Sequence, residues 1–464
     1  MNIPPALINS LLHVKGFQKE AFENVHQSGE RITSIRLNSA KLSTSEKTFF
    51  TDDNSGVAVS SLVPWSTDGY YLPSRPSFTS DPLFHGGAYY VQEASSMFLE
   101  EALKQSIDVS KSVKVLDLCA APGGKSTLIQ SVISDESLLI SNEVIKTRVT
   151  VLAENITKWG ACNAIVTNND PKDFQRLSGF FDIIIVDAPC SGSGLFRKDL
   201  NAISEWSEQN VELCGQRQQR ILADILPALK DGGTLIYSTC SYSIQEDEEI
   251  GDWLIKDHGL TSIRFQLKAE WNIVETTALE THAYGYRFYP DQLKGEGFYI
   301  AGFKKMPPGD DVPDERKAKH KSIKLSAKEI EVLKPWLKNH AGFFFIKQHE
   351  DVIGIPIHLE AFLGEIQSAL YIKKAGIKLG TIIRDELIPA HELAISNIIS
   401  AAVPSIEVDK ETALQYLRRQ EIKLEAGIKG WALITYKQLP LGWIKALPNR
   451  VNNYYPKEWR ILNK

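Results

Sequence analysis

Between residues 113 and 237 the chain repeats one pattern, and that pattern narrows the folds open to it more than any other feature. Apolar runs at residues 113–118, around Ile140 and Ile165, at 181–186 and at 234–237 alternate with longer amphipathic stretches. Strand-like runs separated by helical spacing predict parallel strands joined by crossover helices, an α/β sheet wound on both faces. The carboxyl ends of such strands share one edge, where open α/β folds bind their ligands. A later run, GEGFYIAGFKK, reads as a final strand beside the same sheet.

This sheet cannot account for the whole chain. With 464 residues, the sequence exceeds the roughly 250–300 over which a single core keeps growing. The stretch KKMPPGDDVPDERKAKHK at 304–321 combines prolines, a glycine and dense charge of both signs, and reads as a linker. A softer boundary falls near residues 108–114, after a Pro-, Gly- and Ser-rich stretch. The expected division is an N-terminal extension over 1–110, the α/β domain over 111–305, a linker over 306–321 and a C-terminal region over 322–464.

Composition then excludes several classes. At 43% hydrophobic and 23% charged residues, the chain is neither disordered nor fibrous. It contains no apolar run of about 18 residues that would span a bilayer, and its start lacks the basic-then-apolar pattern of a secretory signal. A cytoplasmic protein without membrane contact is expected. The five cysteines, Cys119, Cys162, Cys190, Cys214 and Cys240, form no CxxC pair and have no histidine at ligand spacing, so neither a disulfide framework nor a metal site is expected. Charge is unevenly placed: residues 1–310 hold 28 basic and 39 acidic side chains, residues 311–464 hold 24 and 18. Residues 430–464 carry six basic groups against one acid, interleaved with Trp431, Tyr436, Trp443, Tyr454, Tyr455 and Trp459. Such a segment either binds RNA through phosphates and stacked bases, or forms a small aromatic core with a basic rim.

The first strand runs into VLDLCAAPGGKST, a glycine-rich turn before a helix, which lets a nucleotide-like cofactor approach backbone amides. It has neither the GxxxxGK[ST] spacing of a triphosphate loop nor the GxGxxG of dinucleotide binders. Glu143 stands nineteen residues after Gly124, where an acid binds ribose hydroxyls. Successive strands ending at Asp117, Glu143, Asp170 and Asp187 line one edge with carboxylates; capping of the following helix is the alternative part for each. Two cysteines follow later strands directly, Cys190 in DAPCSGSG and Cys240 in YSTCSYS. Two thiols and an acid on one crevice suggest covalent chemistry.

Together CAAPGGK, DAPCSGSG and STCS resemble the S-adenosylmethionine-dependent RNA cytosine-5 methyltransferases of the Nop/Sun family. Further along, GIKLGTIIRDELIPAHELA, YLRRQEI and NYYPKEWRI resemble the C-terminal region of a bacterial group within it that methylates 16S rRNA. The likeness begins near Arg36 in SIRLNS. It implies a Rossmann-like methyltransferase domain, an N-terminal RNA-binding extension, a C-terminal PUA-like α+β module, and a monomer whose partner is 16S rRNA or the small ribosomal subunit. It further implies that Cys119, Ala120, Ala121, Pro122, Gly123, Gly124 and Lys125 wrap the methionine end of S-adenosyl-L-methionine, Glu143 its ribose and Asp170 its adenine. Asp187 would face both cofactor and base, protonated through burial. Cys240 would be the nucleophile, with Lys125 or the cofactor's own sulfonium as a cation favouring its thiolate, and Cys190 or a water as the aid to product release. At residues 245–249 the chain reads QEDEE where the family has an EEN-type run, so Asp247 replaces an asparagine. DNA cytosine-5 enzymes use a Pro-Cys nucleophile instead, and amino-methyltransferases carry Asp/Asn-Pro-Pro-aromatic where this chain has DAPC. A tRNA cytosine-5 methyltransferase and a non-catalytic ribosome-assembly factor are the alternatives.

Overall fold

In the computed structural model, which describes residues 3–43, 47, 50, 57–306, 323–423, 429–448 and 450–462, ten strands form one sheet. In chain order these are β1 (Lys114–Asp117), β2 (Leu138–Asn142), β3 (Ala164–Thr167), β4 (Phe181–Asp187), β5 (Leu229–Thr239), β6 (Thr261–Ile263), β7 (Val274–Thr277), β8 (Tyr284–Phe288), β9 (Phe298–Lys304) and β10 (Ile372–Ala375). Across the sheet they lie β7-β8-β9-β5-β4-β1-β2-β3-β10, with β6 beside β9. The strands β1 to β5 are mutually parallel. Their apolar side chains, such as Leu116, Ile140, Ile184 and Ile236, are fully buried, as strands covered on both faces require. The order reverses between β1 and β4, which opens the crevice at the carboxyl edge. The GEGFYIAGFKK run forms β9, antiparallel to β5.

The tenth strand was not legible. β10 comes from the C-terminal region and pairs antiparallel with β3, Ile372 opposite Thr167 and Ala375 opposite Ile165. Its sequence, IKKA, is four residues long with two lysines, too short and too charged to read as a strand. The C-terminal region therefore does not hang free beyond a linker; residues 307–321 of that expected linker lie outside the described residues. Its remainder builds a five-stranded sheet around Phe343–Gln348 and Asp351–Pro356 and a four-stranded one around Gly430–Tyr436 and Leu439–Leu447. Phe362 packs edge-on against Phe180 of the ten-stranded sheet's core, 6.0 Å between centroids.

The N-terminal extension also touches both neighbours. Helices Pro5–Leu11 and Lys19–Gln27 seat Leu7, Leu11 and Phe22 on Phe196, Tyr242 and Tyr289. The sheet that follows shares a core with the C-terminal module, Ile35, Leu37 and Tyr89 packing with Tyr416, Ala432 and Ile434. In the basic tail the aromatic-core alternative accounts for most rings: Trp443 and Tyr455 are fully buried and Tyr436 is 8% exposed. Tyr454 remains 40% exposed and packs on half-buried Trp431, over which Lys445 lies 5.2 Å from the ring centre. Among the described residues, no helix is long and apolar enough to cross a membrane.

Candidate functional site

β1 ends in Asp117, which is completely buried. Ser126 donates to its Oδ2 at 2.6 Å, while Oδ1 has no hydrogen-bond partner among the described residues. Burial pushes this acid up to about 7. The turn that follows carries Cys119, Ala120, Ala121 and Pro122 to Gly123, whose φ of +117° lies in the left-handed region that favours glycine. Gly124 and Lys125 then open the helix Gly124–Val132, so its free amides face the crevice. The turn is pinned from behind: Arg148 donates to the Ala121 carbonyl at 2.6 Å and Asn155 to the Pro122 carbonyl at 2.8 Å.

Glu143 follows β2 directly and is 3% exposed. It accepts from the Ile145 amide at 2.9 Å and lies 3.4 Å from Arg148. Asp170 stands three residues beyond the end of β3 and is exposed. Its side chain accepts from the Lys172 amide and forms a capping box with Asp173 on the short helix Pro171–Leu177. Of the acids expected at the edge, Asp170 is thus the one that caps a helix.

Asp187 ends β4, one-third exposed, with Lys125 at 2.7 Å and the Ser238 hydroxyl donating at 2.8 Å. The burial expected of Asp187 is not met: the side chain reaches solvent and pairs with an ammonium. Burial pulls Lys125 down, but Asp187, Asp117 and Cys240 around it carry it above its ordinary value. Lys125 is therefore charged at neutral pH.

The two cysteines meet here. Cys190 Sγ lies 2.9 Å from Cys240 Sγ, a thiol hydrogen bond rather than a disulfide. That contact, together with burial, pushes the Cys190 thiol well up. The loops that carry them are laced together: the Gly194 amide donates to the Cys240 carbonyl at 2.8 Å, and a Cβ at Gly194 would stand 2.5 Å from the Gly297 carbonyl. The hub is buried Glu246, which accepts from the Ser191 amide and hydroxyl, from Ser241 Oγ and from Gln218. Next to it Asp247 accepts from Thr239 Oγ1 at 2.7 Å and lies 3.1 Å from Arg287, which also grips Glu248.

Sequence reasoning missed three of these groups. Glu246 and Arg287 hold the cysteine loops, and only the acidic QEDEE run pointed toward them. Arg36, 1% exposed, donates to Gln92, Ser131 and Thr127 and stacks on Trp159 at 4.4 Å. It staples the N-terminal sheet to the helix behind the glycine turn. Nothing in the residues themselves marked it beyond its place in SIRLNS.

The donors present fit a cofactor with a cationic amino-acid end. An orphaned buried carboxylate oxygen at Asp117 suits an ammonium, the helix amides suit a carboxylate, and Glu143 can accept from hydroxyls. Among the described residues there is no group of three or more His, Cys, Asp or Glu placed to hold a metal ion.

Residues 105–304 match the family of 16S rRNA methyltransferases RsmB/F, residues 3–94 the N-terminal domain of 16S rRNA methyltransferase RsmF, and residues 403–461 the methyltransferase RsmF PUA domain. Ribosomal RNA small subunit methyltransferase F of Aeromonas salmonicida is 31% identical, the match covering 92% of this chain and 90% of the relative. The protein of that name from Shewanella loihica is 29% identical over 92% and 88%. Among solved structures, a methyltransferase homologue from Pyrococcus horikoshii superposes with a TM-score of 0.53 at 26% identity, covering 66% of this chain and all of that one. NSun6 from the same organism shares the fold, with a TM-score of 0.54 at 18% identity, over 66% of this chain and 99% of its own.

Proposed function

Since the chain belongs to the RsmF branch of the RsmB/F family of 16S rRNA methyltransferases, we propose that it methylates carbon 5 of a cytidine in 16S rRNA through a covalent bond between Cys240 and carbon 6. The observation that carries this reading is the meeting of two thiols 2.9 Å apart beside the Lys125–Asp187 pair. S-adenosyl-L-methionine is the methyl donor, supplying an electrophilic methyl on a sulfonium sulfur. The turn from Cys119 to Lys125 would hold its methionine end, with Asp117 at the amino group; Glu143 would hold the ribose and Asp170 the adenine.

Carbon 5 of cytosine is a weak nucleophile until a thiolate adds at carbon 6 and turns the ring into an enamine. Cys240 makes that addition as a thiolate, facing charged Lys125. Negative charge then grows on the ring, and the Lys125–Asp187 pair supplies the hydrogen bond and proton at ring nitrogen 3. After methyl transfer the carbon 5 proton leaves to solvent, the carbon 6–sulfur bond breaks, and nitrogen 3 returns its proton. Cys190, a neutral thiol at pH 7, donates to the departing Cys240 sulfur and speeds that last step. A base attacked on its face must be unpaired or extruded from the RNA. Bisulfite sequencing of total RNA from cells with and without the protein tests the whole reading: one cytidine in 16S rRNA is expected to lose its methyl group. Loss at a tRNA cytidine would favour the runner-up, and no loss anywhere an assembly factor.

The buried acid gives the cofactor step a pH dependence. With Asp117 raised to about 7 by burial, affinity for a cationic amino group is expected to rise as pH increases through about 7, where the acid ionises. Calorimetric titration across that range measures it, and Asp117→Asn should flatten the profile. The stability of the free protein should run the other way. Below about 7 the folded state holds a proton that the unfolded state has already lost, so stability falls as pH rises from about 4 to about 7.

A further inference from the structure

Three of the acids assigned to the cofactor, Asp117, Glu143 and Asp170, sit at or just beyond the ends of β1, β2 and β3, and a chain of asparagines ties those segments together. Asn142, the last residue of β2, donates to the Leu118 carbonyl at 3.2 Å and to the Asn169 carbonyl at 3.0 Å. Its own side-chain oxygen accepts from the Asn169 amide at 3.0 Å. The chain continues outward: Asn169 Nδ2 donates to the Tyr371 carbonyl at 3.0 Å, and the Tyr371 amide donates to Asn169 Oδ1 at 2.9 Å. The Asn168 amide adds a bond to the same Tyr371 carbonyl at 3.2 Å.

A paired donor and acceptor from one side chain to one backbone residue fixes both position and direction. Asn169 is 8% exposed and immediately precedes Asp170. Tyr371 immediately precedes β10, so its backbone is held in turn by the pairing of β10 with β3. Among the described residues, Asp170 itself has only its capping bonds to hold it from the far side. Without the C-terminal strand, the segment before it would lose three hydrogen bonds.

We propose that the C-terminal region is part of the cofactor site: the Asn169–Tyr371 pair positions the Asp170 segment, so that strand β10 sets affinity for the adenine end of S-adenosylmethionine. This rests on the reading that Asp170 meets the adenine. Asn169 is a positioning residue, since its own polar atoms are taken up by the Tyr371 backbone. The region would thus act on the small molecule as well as on the RNA.

The test compares Asn169→Ala, Tyr371→Pro, which removes the amide that donates to Asn169, and Lys373→Ala, an exposed change on the same strand. Cofactor affinity is measured by calorimetry, RNA affinity by filter binding and folding by thermal melting, all on the full-length chain. Asn169→Ala and Tyr371→Pro are expected to weaken cofactor binding about tenfold, the worth of one or two such hydrogen bonds, and to raise the cofactor KM while kcat stays within about twofold. RNA affinity and Lys373→Ala should stay at the parent values. Asp170→Ala separates the two ideas. If it leaves affinity unchanged, the adenine reading is wrong and the proposal falls with it. If it weakens binding while Asn169→Ala and Tyr371→Pro do not, only the proposal is overturned. Should Tyr371→Pro fail to fold, Asn169→Ala decides by itself, because its backbone bonds to Asn142 remain.

Discussion

Cys240→Ala is expected to reduce methyl transfer by roughly four orders of magnitude or more, because without the thiolate the carbon 5 position has no route to an enamine. The variant should form no protein-RNA adduct. Cys190→Ala should fail differently: addition and methyl transfer proceed, but the departing sulfur loses its hydrogen-bond donor 2.9 Å away. A covalent complex that survives denaturing electrophoresis should accumulate, and its mass should include the transferred methyl. If Cys190→Ala abolishes the adduct while Cys240→Ala traps it, the roles of the two thiols are exchanged.

The second large effect is on stability. Arg287 is 1% exposed between Asp247 and Glu248, at 0% and 8%, and also donates to the Tyr242 carbonyl at 2.8 Å. Arg287→Met would leave two buried acids facing each other with no cation, and is expected to cost about 3–5 kcal/mol, read as a lower urea midpoint. Asp247→Asn, which restores the residue type of the family's EEN-type run, keeps an oxygen for Thr239 and leaves Arg287 gripping Glu248. It should change stability by no more than about 1 kcal/mol. If Arg287→Met melts with the parent protein, the triad is not what holds the Cys240 loop.

How much of this was open to sequence reasoning follows the range of the interactions. The parallel strands, their order of appearance and the glycine turn are local patterns of apolar period and φ preference, and they read directly. The pair Cys190–Cys240 was inferable because two strand ends in a doubly wound sheet must share a crevice. Lys125 and Asp187 were each expected at that crevice, but their ion pair was not read, and the exposure of Asp187, which depends on loops from elsewhere, was misjudged. Arg36, Arg287 and Tyr371 act across 45 to 202 residues of chain, and no local pattern announces a partner at that distance. The aromatic tail was open to two readings because composition cannot say whether a ring faces a core or a strand of RNA.

The pairing of Ile165 with Ala375 has a consequence for how this protein comes into being on the ribosome. When the first five strands have emerged, the free edge of β3 still offers unpaired amides and carbonyls, and the strand that covers it has not been made. The N-terminal sheet waits longer still, since part of its core is Tyr416, Ala432 and Ile434. Exposed edges and apolar faces invite pairing with other chains, so the nascent molecule is open to wrong pairing until residues 372–375 and 416–434 have been made. Both earlier parts are thus completed by the same C-terminal third, the last of the chain to be made.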